Sequence, residues 1–145
     1  MTDKFLLIAE GLFIAALWAV STICNKKALS HMNPEATLCA TVFVTFCLTL
    51  VFMMLHKEKI FHIENKWNIT TWTYVITGAL IGNTIAYYLY YKMLSNHPSY
   101  LVTALTYTSP LMVTVFAMLF LSEQITLYSW LGVICIIVGV LLVAK

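Results

Sequence analysis

The chain has 145 residues, of which 61 % are apolar and only 10 % charged, with a net charge of +2 and a mean hydropathy of +0.89. Soluble domains carry about 25 % charged residues, so this composition excludes a water-soluble globule and makes the bilayer the expected solvent. No basic cluster with interleaved aromatics is present, which argues against nucleic acid.

A helix needs about 20 apolar residues to cross the hydrocarbon core, and that ruler places five spans. The first covers about residues 5–24 (FLLIAEGLFIAALWAVSTIC) and leads into Asn25-Lys26-Lys27. Intramembrane ionisable residues are costly to bury and are functional candidates by default, and Glu10 lies about two turns into this span. At about 100° per residue, Ser21 falls about 20° from Glu10, Asn25 about 60° and Trp18 about 80°. A stripe of Glu10, Ser21 and Asn25 flanked by Trp18 is therefore a candidate polar wall, with Glu10 as its proton carrier. The plainer reading makes Glu10 an interfacial side chain reaching the headgroups, and Lys26 and Lys27 snorkelling anchors.

The second span, about 34–55, opens on Pro34, which suits a first helical turn. Its Thr37, Thr41 and Thr45 repeat at i, i+4 and read as packing residues. Charged residues 56–71 follow, with a glycosylation sequon at Asn68-Ile69-Thr70 too close to the next span to expect its use. The third span, about 72–94, ends in the aromatic cluster YYLYY. Gly78 and Gly82 form a GxxxG in it, which lets helices approach closely and is expected to serve packing within the chain. Asn83, Tyr87 and Tyr90 align on one face, and Tyr90 and Tyr91 also suit an aromatic belt.

The fourth span, about 98–121, starts beside Pro98 and carries Pro110 at its centre. Thr103, Tyr107, Pro110 and Thr114 fall within about 60° of one another. Proline frees a backbone carbonyl one turn earlier, tolerable in lipid only against a neighbour or a wet cavity. Pro110 therefore marks a tight helix contact or the wall of a substrate path. Glu123 follows as a turn anchor favoured by the dipole of the fifth helix, about 126–144. In that helix Gly132 and Gly139 lie seven apart on one face and are candidates for a subunit interface.

The expected fold is all-α, a multi-pass integral membrane protein forming one domain over residues 1–145. No cleavable leader is expected, because the first apolar run is full length without a small-residue cleavage site. Cys24, Cys39, Cys47 and Cys135 sit in or beside apolar runs without metal-ligand spacing and read as reduced packing residues. No metal, cofactor, nucleotide loop or nucleophile–base pair is expected, and hence no enzyme.

Lysines near span ends normally fix orientation, and arginine is absent. Five spans put Lys4, Lys57, Lys59 and Lys66 on one side and Lys26, Lys27, Lys92 and Lys145 on the other, four against four. A balanced chain is a candidate for insertion in both directions. Transporters are commonly built from two inverted repeats around a midplane site, and an antiparallel homodimer of such a chain would reproduce that arrangement.

The segment YYLYYKMLSNHPSYLVTALTYTSPLMVTVFAMLFLSEQITLYSWLGVICIIVGVLLV resembles the second part of an EamA-type domain of the drug/metabolite transporter superfamily. Pro110, Leu121, Glu123, Gly132 and Gly139 match its central proline, its Leu-Gly-Glu and its Gly-x6-Gly frame, and Trp18 with Asn25-Lys26-Lys27 fits the opening helix. Three departures stand out: Ser122 replaces the glycine of Leu-Gly-Glu, Ala19 replaces the glycine after the tryptophan, and the second span lacks an arginine near its start. The missing arginine removes the basis for borrowing an anionic substrate. The resemblance covers nearly the whole chain as one repeat where most relatives carry two. It implies a secondary transporter of small organic metabolites or drugs, with the lipid bilayer, a small-molecule substrate and a second copy as partners. The alternative is a non-transporting scaffold or accessory subunit that pairs with other spans through Gly132 and Gly139. An exporter of organic cations akin to small multidrug resistance proteins is disfavoured, since those have four spans.

Overall fold

The computed structural model describes residues 2–56 and 69–145, with side chains from residue 6 onward. Lys57, Lys59, Lys66 and Asn68 lie outside the described residues, as does the side chain of Lys4. All regular structure among the described residues is helical, in five runs. The chain divides into two compact units, Met1–Asn96 and His97–Lys145.

In the first unit, α1 spans Thr2–Ala28 and α2 spans Pro34–Leu55. The α1 helix carries on through Asn25, Lys26 and Lys27, four residues beyond the apolar run, because nothing in that stretch breaks a helix. The α2 helix starts where Pro34 places it. Asn33 is its N-cap: Oδ1 accepts from the Ala36 N–H at 2.8 Å, satisfying one of the orphan donors of the first turn. Both helices are long and apolar enough to cross a membrane.

The third run changes winding in its middle. It opens as α3, Ile69–Gly78, passes through a π-helical stretch over Ala79–Ala86, and closes as α4, Tyr87–Asn96. A π turn bonds i to i+5 and takes up one residue more than an α turn. Thr84 follows that register, its hydroxyl donating to the Ala79 carbonyl at 3.4 Å. Gly78 and Gly82 straddle the junction, and a Cβ on either would meet nothing within 4 Å. The expectation that this GxxxG packs against another helix of the chain is thus corrected, and small size there does not serve close approach among the described residues.

In the second unit, α5 (Ser99–Thr106) and α6 (Ser109–Leu121) make up the fourth run, and α7 spans Leu127–Val143. The break falls at Tyr107 and Thr108, with Pro110 in the first turn of α6, as the missing N–H of proline requires. Residues Ser99–Leu121 together are long enough to span, whereas α7 has 17 residues of apolar helix. Thr126 caps α7, its hydroxyl accepting from the Ser129 N–H at 3.2 Å. Val102, Ala117, Val133 and Val140 form the buried apolar contact of this unit.

The turn between α6 and α7 corrects the reading of Glu123. This residue lies in the C-terminal cap of α6, donating its N–H to the Ala117 carbonyl at 3.2 Å, and precedes the Thr126 cap of α7 by three residues. It is thus an anchor of this turn, but through its backbone and at the C-terminal end of α6, where the dipole is negative. Ser122 supplies the reversal at φ 54°, ψ 30°, and no other non-glycine residue among those described has a positive φ.

Candidate functional site

The site is built on α4, which packs between α1 and α2. The tyrosines of YYLYY fix it there. The Tyr90 hydroxyl donates to Thr22 Oγ1 on α1 at 3.0 Å. The Tyr88 hydroxyl donates to Glu35 Oε1 at 3.1 Å, and the Tyr91 hydroxyl to Thr41 Oγ1 at 3.4 Å, both on α2. Lys26 Nζ donates to the Leu94 carbonyl, one of the orphan acceptors in the last turn of α4. Tyr91 and Leu94 are fully buried, and the rings of Tyr87, Tyr90 and Tyr91 contact one another at centroid distances of 5.8–6.3 Å. Tyr91 is thus a buried strut and not a belt residue. Lys26 likewise serves the neighbouring helix as well as the interface.

These ties all lie where α1 ends, α2 begins and the third run ends. Beyond them the three helices leave a cavity of about 510 Å³. Ser21 and Asn25 of α1 line it, together with Leu38, Thr41, Val42, Thr45, Phe46 and Thr49 of α2, Asn83 of the π stretch, and Tyr87 and Tyr91 of α4. Asn25 Nδ2 donates to Ser21 Oγ at 3.4 Å. The side chains of Asn83, Thr45 and Thr49 form no hydrogen bond to any described residue.

Of the residues singled out in the sequence, Ser21, Asn25, Asn83 and Tyr87 come together here, beside Thr41, Thr45 and Tyr91. Glu10 and Trp18 are exposed in the isolated chain and do not line the cavity. Thr103, Tyr107 and Pro110 belong to the second unit, where the Tyr107 N–H donates to the Thr103 carbonyl at 3.0 Å and Thr114 Oγ1 to the Pro110 carbonyl at 2.7 Å. Gly132 and Gly139 both have open space where a Cβ would stand.

Two features escaped the sequence reading. An α-helical period puts Tyr90 in line with Asn83, but the π stretch delays the register by about one residue and brings Tyr91 to the wall. The threonine ladder of α2 was visible at i, i+4 but read as packing. Thr37 is packing, 2 % exposed and donating to the Asn33 carbonyl at 3.0 Å, whereas Thr41, Thr45 and Thr49 continue the same face into the cavity.

Residues 6–145 match the EamA-like transporter family. The chain belongs to that family. Among relatives, an uncharacterized protein of Methanocaldococcus jannaschii is 27 % identical over 94 % of this chain and 95 % of its own length. An uncharacterized transporter encoded in the cobO 3′ region of Sinorhizobium sp. is 28 % identical over 92 % of this chain and 93 % of its own. The uncharacterized transporter YwfM of Bacillus subtilis is 26 % identical over 94 % of this chain but only 45 % of its own length. Two relatives thus match one EamA repeat along nearly their whole length, and YwfM is about twice as long. No solved structure matches the chain. The protein is a multi-pass membrane transporter of the drug/metabolite type.

Proposed function

We propose that the chain works as an antiparallel homodimer, exchanging a small organic solute across the membrane by alternating access. The observation that carries this is the cavity of residues 1–96, whose hydroxyl and amide wall has no use in a protein that only pairs helices. Polar groups at membrane depth are tolerated where they line a cavity or find a partner. A repeat related to its inverted twin by a two-fold axis in the membrane plane would place two such walls around a midplane path. The lysine balance supports insertion in both directions, and Thr103, Tyr107 and Pro110 on the broken fourth span are a separate candidate polar face of the second unit. The open glycine face of α7, at Gly132 and Gly139, is the candidate contact between the copies. Glu10 would couple the exchange to protons, being the carboxylate among the described side chains that lies inside a spanning segment beyond its first turn, whereas Glu35 opens α2 and accepts from the Tyr88 hydroxyl.

Mapping both termini in intact membranes tests the arrangement: each terminus should be labelled from both sides, and a single orientation would defeat it. Glu10→Gln should abolish proton-driven uptake into vesicles with expression intact, and preserved uptake would remove Glu10 from the coupling.

A further inference from the structure

We propose that the cavity between α1, α2 and the third run binds an uncharged organic solute with hydroxyl or amide groups on one side and an apolar surface on the other. This rests on the transporter reading for its purpose, but on the cavity's own chemistry for its selectivity. Among the described residues, every polar side chain on the wall carries a neutral hydroxyl or amide, and no carboxylate, ammonium or imidazole lines it. The charged groups of these helices that are tied to α4, Lys26 and Glu35, sit at helix ends and are engaged there with Leu94 and Tyr88.

Position sharpens the point. Thr45 lies midway along Pro34–Leu55, and Asn83 midway along residues 69–96, so both sit near the centre of their spans. The side chain of neither is hydrogen-bonded to another described residue, and that of Thr49 is in the same state one turn further along α2. An unpaired amide at that depth is costly against hydrocarbon, so the groups are matched by water or by a solute that replaces it. A charged solute would reach the centre with no opposite charge on the wall and would keep its full desolvation cost. A neutral solute bearing donors and acceptors would satisfy Asn83, Thr45 and Thr49 while its apolar side rests on Phe46 and Val42. The volume of about 510 Å³ falls within the usual range for small-molecule sites.

The test uses the full chain in nanodiscs, with binding read from the shift in thermal unfolding and from equilibrium titration. The probes are pairs that share a core and differ in charge: uridine with uridine monophosphate, and N-acetylglucosamine with glucosamine, with tetraphenylphosphonium as an apolar cation. At least one neutral member should stabilise the protein while its charged counterpart does not. Asn83→Leu and the nearly isosteric Thr45→Val should each weaken that binding by about tenfold without lowering the unliganded midpoint. Stronger binding of a charged member, no binding by either neutral one, or unchanged affinity in both folded variants overturns the proposal. Binding without uptake by vesicles would sink the transport reading and leave the site. Uptake of a charged solute that Asn83→Leu does not touch would sink the site and leave transport.

Discussion

In residues 1–96 three tyrosine hydroxyls and a lysine ammonium cross from one helix to another. In residues 99–145 every side-chain hydrogen bond stays within four residues of its origin, and the helices meet through Val102, Ala117, Val133 and Val140. Lipid tails are as apolar as these side chains, so burying them against each other brings no hydrophobic gain, and close fit must hold the second unit. Hydrogen bonds need no such fit along the whole contact. Clustered at one end of the first unit, they fix three helices there and leave room between them further along, where the cavity opens. The two units solve the same problem of association in lipid, and only the solution with polar ties at one end leaves a polar wall.

Substitutions that exchange these strategies sharpen the contrast. Tyr91→Ala removes a fully buried ring and its tie to Thr41, and should cost about 3 kcal/mol, read as an earlier unfolding midpoint in denaturant. Hydrogen exchange should show the loss concentrated in residues 1–96. Ala117→Leu tests the second unit by overfilling its contact, at about 2 kcal/mol; equal tolerance of Leu at that site would mean the apolar contact is loose. Ser122→Gly should raise stability by about 1 kcal/mol, since a side chain at φ 54° carries the cost of left-handed backbone and glycine does not. A midpoint that stays put or falls would show that the reversal is not strained. Tyr91→Phe isolates the polar tie from the ring and should cost about 0.6 kcal/mol, typical of a hydrogen bond between membrane helices. A cost close to that of Tyr91→Ala would assign the strut to its hydroxyl. Gly132→Ala or Gly139→Ala should leave the single chain's stability unchanged, as both positions are open. Weaker cross-linking between copies would then place the face at the dimer contact, and unaltered cross-linking would remove it.

The serine at the end of α6 shows how a departure from a family pattern acquires meaning. Leu121-Ser122-Glu123 differs from the family's Leu-Gly-Glu at one residue, and that residue is the one with a positive φ. Glycine suits the position because it has no Cβ to strain. Serine keeps the turn, with its N–H donating to the Ala117 carbonyl. The turn geometry is therefore demanded by the connection between the fourth and fifth helices, whichever residue occupies it.

Helices, their starts and their breaks were legible because they are local. Apolar length and the need to satisfy backbone groups without water leave no other structure for these runs, and Asn33, Pro34 and Pro110 act on their own turn. What faced inward was only half legible. In a soluble helix polarity separates outside from inside, but here lipid and helix contact are both apolar, so most of the exposed surface of the chain is as hydrophobic as its few buried residues. Only polar side chains within a span or at its end carry a signal, and Asn83 and Tyr87 within the third span and Asn25 at the end of the first were found by it. Glu10 carries the same signal and does not line the cavity, because the stripe it shares with Ser21 runs about three turns further up α1 than the α4 contacts reach.

Taken alone, then, the residues determined an all-helical membrane repeat with its spans and proline break, since backbone satisfaction in lipid admits little else. Tertiary structure decided which face of each span meets another helix. It chose Tyr91 over Tyr90 through a π turn whose bonding pattern no 3.6-residue period anticipates, and it turned the threonines of α2 from packing into wall. Those choices depend on how three helices lean on shared hydroxyls far apart in sequence, from Thr22 to Tyr90 and from Thr41 to Tyr91.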